Sequence, residues 1–285
     1  MTDLTDLPQS PRALNEETAM DYQEYKALLV ERRGAVIIGT LNAPPMNPVG
    51  PDLHDEIHHF LRAADEDDSV RVIVMTGAGD RAFSAGGDIN WMKSDLDIPR
   101  RPMWSTGLAA EKSILQTVLN LRKPFITRIN GHAMGLGATL AVLSDFSYMV
   151  EDAKIADTHV KVGLVAGDGG ALLWPLLMGF ANARRYLLTG DMLTGKEAAE
   201  LGLITQAVPR DKLDETVFAT AERLAEGAGI AINYTKIAIN LLLRSMVDKL
   251  IEAHYGLEVQ SALSDDHREA VHAFIEQRTP VFTGK

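Results

Sequence analysis

The chain has 285 residues, with 28 Lys and Arg side chains against 39 Asp and Glu, so its formal net charge is −11. Its length allows one large domain or two small ones, and 46% hydrophobic with 24% charged residues is an ordinary globular composition. The negative charge argues against a nucleic-acid or anionic-membrane binder, and the lack of cysteine excludes disulfides, a catalytic thiol and cysteine-ligated zinc.

The N-terminal stretch 1–30 is acidic, and we expect it to form a surface arm outside the core. It has neither the basic and apolar regions of a signal peptide nor the Arg-rich, acid-poor composition of a transit peptide. No stretch of the sequence reaches the roughly 18 apolar residues of a membrane helix. These features, with the absent cysteines, predict a cytoplasmic protein.

From residue 31 onward, short apolar runs alternate with helical patterns, which predicts βαβ units and a largely parallel, buried sheet. Leu53, Ile57 and Phe60 follow helical spacing, and Glu111–Leu121 is a second predicted helix. The predicted strands are Ala35–Leu41, Arg71–Thr76, Pro124–Ile129 and Phe146–Val150.

After Pro209 the pattern changes to successive helices. They are predicted at Asp211–Ala225, Ile230–Met246, Lys249–Leu263 and Asp266–Gln277. We therefore expect an α/β core over residues 31–225 and a C-terminal helical region over 226–285.

Two motifs approach known signatures without completing them. The segment from His54 to His58 lacks the Glu that a zinc protease needs after its first His, and the two imidazoles are expected to be half-exposed beside the buried stripe. The glycines at 77 and 79 follow a strand, but another loop comes next where a dinucleotide-binding fold would begin a helix. Neither motif predicts a metal or nucleotide site.

A serine hydrolase is a further alternative that the residues leave open. Ser84 lies in Phe-Ser-Ala-Gly-Gly, which differs from the nucleophile elbow Gly-x-Ser-x-Gly. A triad of Ser84, His159 and Asp168 has no specific sequence support, but the spacing does not forbid it.

Three glycine-rich segments carry the clearest signal. They are Arg81–Ile89, the stretch Pro124–Asp145 with its Asn130-Gly131-His132-Ala133-Met134-Gly135-Leu136-Gly137 turn, and Ala153–Gly170. In this order and spacing, and with the Phe274, Pro280, Phe282 and Lys285 tail, they resemble the crotonase superfamily, the enoyl-CoA hydratase/isomerase family. The resemblance covers the chain from about residue 33 onward.

The resemblance implies a crotonase-like (ClpP/crotonase) spiral of ββα units with a helical C-terminal trimerisation region. It also implies an acyl-CoA enzyme that stabilises a thioester enolate and adds water to, or isomerises, a 2- or 3-enoyl-CoA. Coenzyme A is part of the substrate, and no separate cofactor or metal is expected. The expected assembly is a homotrimer or a dimer of trimers.

By position in the family's motifs, the two backbone N–H donors of the oxyanion hole fall on Gly87 and Leu136. Leu136 opens the apolar run 136–143, so it is expected at a helix N-terminus, where free N–H groups and the helix dipole favour developing negative charge. The resemblance further places the substrate and the CoA moiety against Ala85, Gly86, Asp88, Ile89, Gly135, Lys93 and Lys285, with Arg81 as another candidate phosphate contact.

The acid–base residues depart from the family's hydratase pattern. The two hydratase glutamates fall on Thr139 and His159, and a Thr hydroxyl is not a base near neutral pH. A histidine has a suitable intrinsic pKa for proton transfer, although His159 could equally be a buried, hydrogen-bonded residue of a strand over Thr158–Val162.

The carboxylate of the family's isomerases and dehalogenases falls on Gly167 or Asp168, depending on the gap. Asp168 is therefore a candidate proton-transfer group, or it caps the helix that begins near Gly169. Asp145 matches a family position that looks structural, and Glu111 is a more distant catalytic candidate. Because both usual glutamates are missing, a non-catalytic or differently specialised acyl-CoA-binding homologue is the alternative function.

Overall fold

The computed structural model describes residues 22, 25–96 and 107–285. A six-stranded sheet forms the centre in the order β1-β2-β3-β5-β7-β10, and a four-stranded sheet follows the order β4-β6-β8-β9. The strands are β1 Leu28–Arg33, β2 Val36–Leu41, β3 Val72–Gly77, β4 Ala82–Ser84, β5 Phe125–Ile129, β6 His132–Met134, β7 Phe146–Val150, β8 Lys154–Ala156, β9 Leu193–Thr194 and β10 Gln206–Val208.

The helices pack around these sheets. They are α1 Pro51–Glu66, α2 Ile89–Leu96, α3 Gly107–Asn120, α4 Leu136–Val142, α5 Gly170–Thr189, α6 Gly195–Glu200, α7 Leu213–Glu226, α8 Gly229–Ala262 and α9 Asp265–Ile275. α5 is interrupted at Gly179, whose φ of 78° and ψ of 156° are not helical. None of the described helices is long and apolar enough to cross a membrane.

The predicted parallel, buried sheet is confirmed. From β2 through β10 every pair in the larger sheet is parallel, and only β1 pairs antiparallel with β2. The strand β3 is buried at all six positions, as its unbroken apolar sequence predicts for a strand covered on both faces. The helix predicted around Leu53 and Ile57 is α1, and its apolar stripe faces this core.

Three sequence expectations need correction. β1 begins at Leu28, which is buried, so the last residues of the expected 1–30 arm belong to the sheet; residues 1–21, 23 and 24 lie outside the described part. The helices expected at Ile230–Met246 and Lys249–Leu263 are one continuous helix, α8, because no Gly or Pro interrupts the junction and Val247 is buried there. The segment after Thr158 is a 3-10 helix, His159–Val162, and not a strand.

Candidate active site

The two expected backbone donors lie at neighbouring strand ends. β4 and β6 are parallel neighbours, with Ser84 beside Ala133, so the residues that follow them emerge at one edge of the smaller sheet. The two loops pack directly, since a Cβ added to Gly86, at φ +89°, would lie 2.7 Å from Met134 O. Gly87 is the residue after Gly86, and Leu136 comes two residues after Met134.

Local geometry orients both N–H groups. Val49 N–H donates to Gly86 O and Asp88 N–H donates to Val49 O, so this bridge leaves the N–H of Gly87 directed away from Val49. Leu136 is the first residue of α4, as predicted, and the N–H groups of a first turn have no acceptor within their own helix. Two main-chain donors therefore flank this glycine-lined edge.

Three buried titratable side chains lie beside the α4 N-terminus. Asp157 Oδ1 lies 2.7 Å from His159 Nδ1, and His159 Nε2 lies 3.6 Å from Asp168 Oδ2. A Cβ added to Gly135 would lie 3.9 Å from His159 Cε1, which places the imidazole next to the residue that precedes Leu136. The two candidate proton-transfer side chains, His159 and Asp168, thus lie next to each other.

The other carboxylate oxygen of Asp168, Oδ1, accepts two hydrogen bonds. Thr139 Oγ1 donates to Asp168 Oδ1 at 3.1 Å, and the N–H of Gly170 donates to the same oxygen at 3.3 Å. The N-cap of α5 is Gly169, so Asp168 is not the capping residue itself, although its side chain accepts from the first residue of the helix. Thr139 is held by Asp168, so its hydroxyl supports the carboxylate.

The electrostatics of this cluster favour a retained proton. Burial alone lowers the pKa of His159, but the charges of Asp168 and Asp157 and the hydrogen bond that His159 donates to Asp157 outweigh it and raise that pKa well above its ordinary value. Burial also raises the pKa of Asp168, against the opposing charge of His159. A proton shared between His159 and Asp168 is consequently held to higher pH than an exposed histidine would hold it.

The same three residues could in principle hold a metal ion, since their ligand atoms all lie within 4.8 Å of one another. The two carboxylates, however, lie against different ring nitrogens of one histidine. A histidine gives a metal one nitrogen and normally donates the other N–H to a supporting group. The arrangement of Asp157, His159 and Asp168 fits a chain of proton-carrying groups better than a ligand set.

Asp157 was not among the residues selected from sequence. Its contact with His159 depends on the 3-10 helix, in which Lys161 N–H donates to Thr158 O and Leu164 N–H donates to His159 O. This turn folds the His159 side chain back toward the end of β8. An acid two residues before the candidate histidine was the available signal, but a strand would have placed the two side chains on the same face without closing this contact.

The C-terminal helices hold the loop that carries the cluster. Val165 N–H donates to Ser261 Oγ at 3.0 Å, and His267 Nδ1 donates to Val162 O at 2.6 Å. Glu258 of α8 is buried and leaves no space for a side chain at Gly167. α8 and α9 of the same chain therefore fix the loop between His159 and Asp168.

The serine-hydrolase alternative is not supported by the geometry. Ser84 is fully buried, its Oγ donates to Asn47 O at 2.8 Å, and the same oxygen accepts from Gly86 N–H at 3.1 Å. Among the described residues, His159 bonds Asp157 and faces Asp168, and no hydrogen bond joins it to Ser84. Ser84 therefore anchors the loop that leads to Gly87.

The other candidate residues in the described part of the chain make structural contacts away from the cluster. His54 is buried and not half-exposed, because the α1 face that packs on the core is wider than its apolar stripe, and His58 Nδ1 lies 2.7 Å from Thr117 Oγ1. Asp145 accepts from Phe125 N–H and from Lys236 Nζ, as expected of a structural carboxylate. The side chain of Glu111 lies outside the described residues.

The expected substrate- and CoA-binding residues cluster in part. Ala85, Gly86, Asp88 and Ile89 surround Gly87 between β4 and α2, and Gly135 caps α4. Among the cations, Lys93 lies exposed in the last turn of α2. The main-chain oxygen of Lys285 accepts from the N–H of Asp265 at the start of α9, and α9 packs on α2. Arg81 is exposed at the other end of β4 from Gly87.

Comparison with known proteins agrees with this arrangement. Residues 31–285 match the family described as Enoyl-CoA hydratase/isomerase. The chain is 33% identical over 250 residues to 1,2-epoxyphenylacetyl-CoA isomerase of Escherichia coli, covering 86% of this chain and 94% of that one. It is 28% identical to crotonyl-CoA hydratase of Syntrophomonas wolfei, covering 92% and 99%.

A solved structure extends the agreement to the fold. The crystal structure of an enoyl-CoA hydratase/isomerase from Mycobacterium paratuberculosis superposes with a TM-score of 0.81 at 35% identity, covering 86% of this chain and 97% of that one. Together with the paired loops at Gly87 and Leu136, these similarities establish that the chain belongs to the enoyl-CoA hydratase/isomerase family, with the crotonase fold.

Proposed function

We propose that this protein isomerises the double bond of an enoyl-CoA thioester by moving a proton between carbons. The thioester oxygen would accept hydrogen bonds from the N–H groups of Gly87 and Leu136, and Asp168 with His159 would carry the proton. The observation that supports this best is the buried pair of His159 Nε2 and Asp168 Oδ2, 3.6 Å apart beside the α4 N-terminus.

The proposed reaction is balanced without a co-reactant. The Asp168 carboxylate removes a proton from the carbon next to the thioester of a 3-enoyl-CoA, and the C–H electrons pass to the thioester oxygen as a dienolate. The N–H groups of Gly87 and Leu136 stabilise that charge, and losing one such donor typically costs about 10²–10³ in rate. The Asp168–His159 pair then delivers the proton to C4, two carbons beyond the deprotonated C2, and the double bond moves from C3=C4 to C2=C3, which forms the 2-enoyl-CoA.

Hydration of a 2-enoyl-CoA is the second candidate, because a relative carries the name crotonyl-CoA hydratase. Hydration requires two groups that hold and activate one water molecule. Thr139, at the position of one hydratase glutamate, donates its hydroxyl to Asp168 and offers no base. This contact makes isomerisation the favoured reaction.

The test compares isomerisation of a 3-enoyl-CoA with hydration of crotonyl-CoA in the wild type, Asp168→Asn and His159→Gln. We expect isomerisation in the wild type and a loss of about 10²–10⁴ in kcat for both variants, the usual contribution of a general acid or base. Asp145→Asn is the control, because Asp145 is an acid bonded to Phe125 N–H and Lys236, away from the cluster.

Three outcomes would contradict parts of this proposal. Hydration without isomerisation would select the hydratase. Tight binding of acyl-CoA without turnover over a broad substrate panel would select a non-catalytic homologue. Full activity of both Asp168→Asn and His159→Gln would show that other groups move the proton.

We also propose a homotrimer or a dimer of trimers in the cytoplasm. Large apolar side chains are exposed along α5 and α8, including Phe180 at 64% and Leu242 at 70% exposure. Apolar side chains at this density on two helices are typical of a surface that is covered by another subunit. The lack of cysteine fits a reducing compartment.

A further inference from the structure

Asp157 is the member of the buried cluster that the proposed reaction leaves without a role. It is 2% exposed, and its Oδ1 accepts from the main-chain N–H of His159 at 3.2 Å while lying 2.7 Å from Nδ1 of the same residue. One carboxylate oxygen therefore holds the His159 main chain and ring together.

Two neighbouring contacts fix the position of Asp157. Its neighbour Ala156 ends β8 and accepts the N–H of Gly135 at 2.9 Å, which ties this point to the loop before Leu136. Gly170 lies so close to Asp157 Oδ2 that no Cβ would fit between them. The carboxylate is thus placed by the same elements that place the two main-chain donors and Asp168.

The contact determines which nitrogen of His159 carries hydrogen. A carboxylate only accepts hydrogen bonds, so at 2.7 Å from Asp157 Oδ1 the Nδ1 atom must be the N–H. In neutral His159 the Nε2 atom is then the free lone pair, and in the charged form it is the second N–H. Nε2 is the atom that faces Asp168 Oδ2.

We propose that Asp157 is a positioning residue that fixes the Nδ1–H tautomer of His159 and stabilises its charged form, so that Nε2 exchanges the proton with Asp168. This inference rests on the proposed function for its catalytic consequence, whereas the tautomer and charge of His159 are properties of the resting protein. The unit that moves the proton would be Asp157–His159–Asp168, arranged in that order along the two ring nitrogens.

The charged groups around His159 agree with this role. Asp168, Asp157 and Glu258 each favour its protonated form. On the same 3-10 helix, Lys161 is exposed and its stem lies against Gly190. From α9, His267 bonds the main chain at Val162, and it has a lowered pKa because of burial. The carboxylates are thus the groups that determine the charge of the imidazole.

Two substitutions separate charge from position. In Asp157→Asn, the His159 main-chain N–H still requires an acceptor, which keeps the amide oxygen at the Oδ1 position and the proton on Nδ1. In Asp157→Ala both the charge and the acceptor are lost. Glu258→Gln is the matched control, because Glu258 is buried and its negative charge also favours the protonated form of His159.

The experiment follows the imidazole nitrogens of full-length protein labelled with ¹⁵N-histidine, with His159→Gln identifying the resonances among eight histidines. We expect wild-type His159 to keep hydrogen on Nδ1 at every pH and to titrate well above 6.5. In Asp157→Asn, His159 should keep hydrogen on Nδ1 but have a lower pKa than in the wild type. In Asp157→Ala, His159 should no longer be held in the Nδ1–H tautomer. Glu258→Gln should lower the pKa of His159 by less than Asp157→Asn does.

Activity gives the second readout. For isomerisation we expect kcat to fall about tenfold in Asp157→Asn and about 10²–10³-fold in Asp157→Ala, with KM nearly unchanged. If Asp157→Ala changes neither the tautomer nor the pKa of His159, the inference is overturned. It is also overturned if the tautomer changes while kcat stays the same. If the wild type has no isomerase or hydratase activity but the nitrogen spectra respond as expected, the proposed function fails while the assignment of Asp157 to the His159 tautomer stands.

Discussion

Thr139 and Asp168 are joined by a 3.1 Å hydrogen bond that connects the first turn of α4 to the residue before the N-cap of α5. The hydroxyl donates to the carboxylate and so stabilises the ionised form of Asp168. A threonine of α4 therefore lowers the pKa of a carboxylate that lies before α5.

Thr139→Val removes that donor with little change in shape. Because the bond lowers the pKa of Asp168, its loss should raise that pKa further, so the acid limb of the kcat/KM profile for isomerisation moves to higher pH. At neutral pH we expect kcat/KM to fall by less than about tenfold, which corresponds to a rise of less than about one unit in the pKa of Asp168. The measurement is the pH profile of kcat/KM.

The control for Thr139→Val is Thr127→Val. Thr127 is also a buried threonine, and its hydroxyl donates to Ala141 O at 2.8 Å outside the cluster. This control should cost about 1 kcal/mol of stability and leave the acid limb in place. An identical shift of the limb in both variants would show that Asp168 does not depend on the Thr139 bond.

Gly86→Ala should disrupt the proposed oxyanion hole. The new Cβ would lie 2.7 Å from Met134 O at a φ of +89°, so the loop at Gly87 must move away from the one before Leu136. Losing the alignment of one donor should reduce kcat by about 10²–10³. Steady-state isomerisation kinetics on protein with an unchanged circular dichroism spectrum measure this effect.

Gly34→Ala is the matched control for Gly86→Ala. Gly34, in the β1–β2 turn, also has a positive φ, +58°, but it has open space around it. It introduces comparable backbone strain far from the strand ends that carry the donors. We expect lower stability and normal kcat. Equal kcat losses in Gly34→Ala and Gly86→Ala would refute a specific role for the Gly86 contact.

The raised pKa of His159 also predicts a pH dependence of stability. A group whose pKa is raised on folding contributes stability that is complete below its unfolded pKa and disappears as pH rises through the folded pKa. The free energy of unfolding of the wild type, relative to His159→Gln, should therefore be largest below about pH 6.5 and decline above it. Urea denaturation of both proteins between pH 5 and about 9 provides the comparison; a difference that grows with pH would contradict the assignment.

The apolar faces of α5 and α8 lead to a prediction about assembly. Light scattering should give three or six times the 31.1 kDa of one chain. Replacing Leu242, which is 70% exposed, with Glu should shift the protein toward smaller species without lowering the stability of the separated chain. A wild-type mass of one chain would exclude both assemblies.

Sequence alone determined the features that depend on local pattern. Alternating apolar runs predicted the parallel sheet, and the glycines of 85–89 and 131–137 identified the two loops expected to carry the main-chain donors. The apolar run after Leu136 placed that residue at a helix N-terminus, as the structure confirms. Periodicity and turn chemistry act over a few residues, and a single sequence carries that information directly.

Only the tertiary structure decided how the acid–base groups meet. Sequence alone could not show that the Asp168 side chain accepts a hydrogen bond from Thr139, which lies 29 residues earlier in the chain. The role of Asp157 depended on a 3-10 turn where a strand was expected. The charge state of His159 follows from burial and from carboxylates on separate segments, which are properties of distances across the fold and not of sequence spacing.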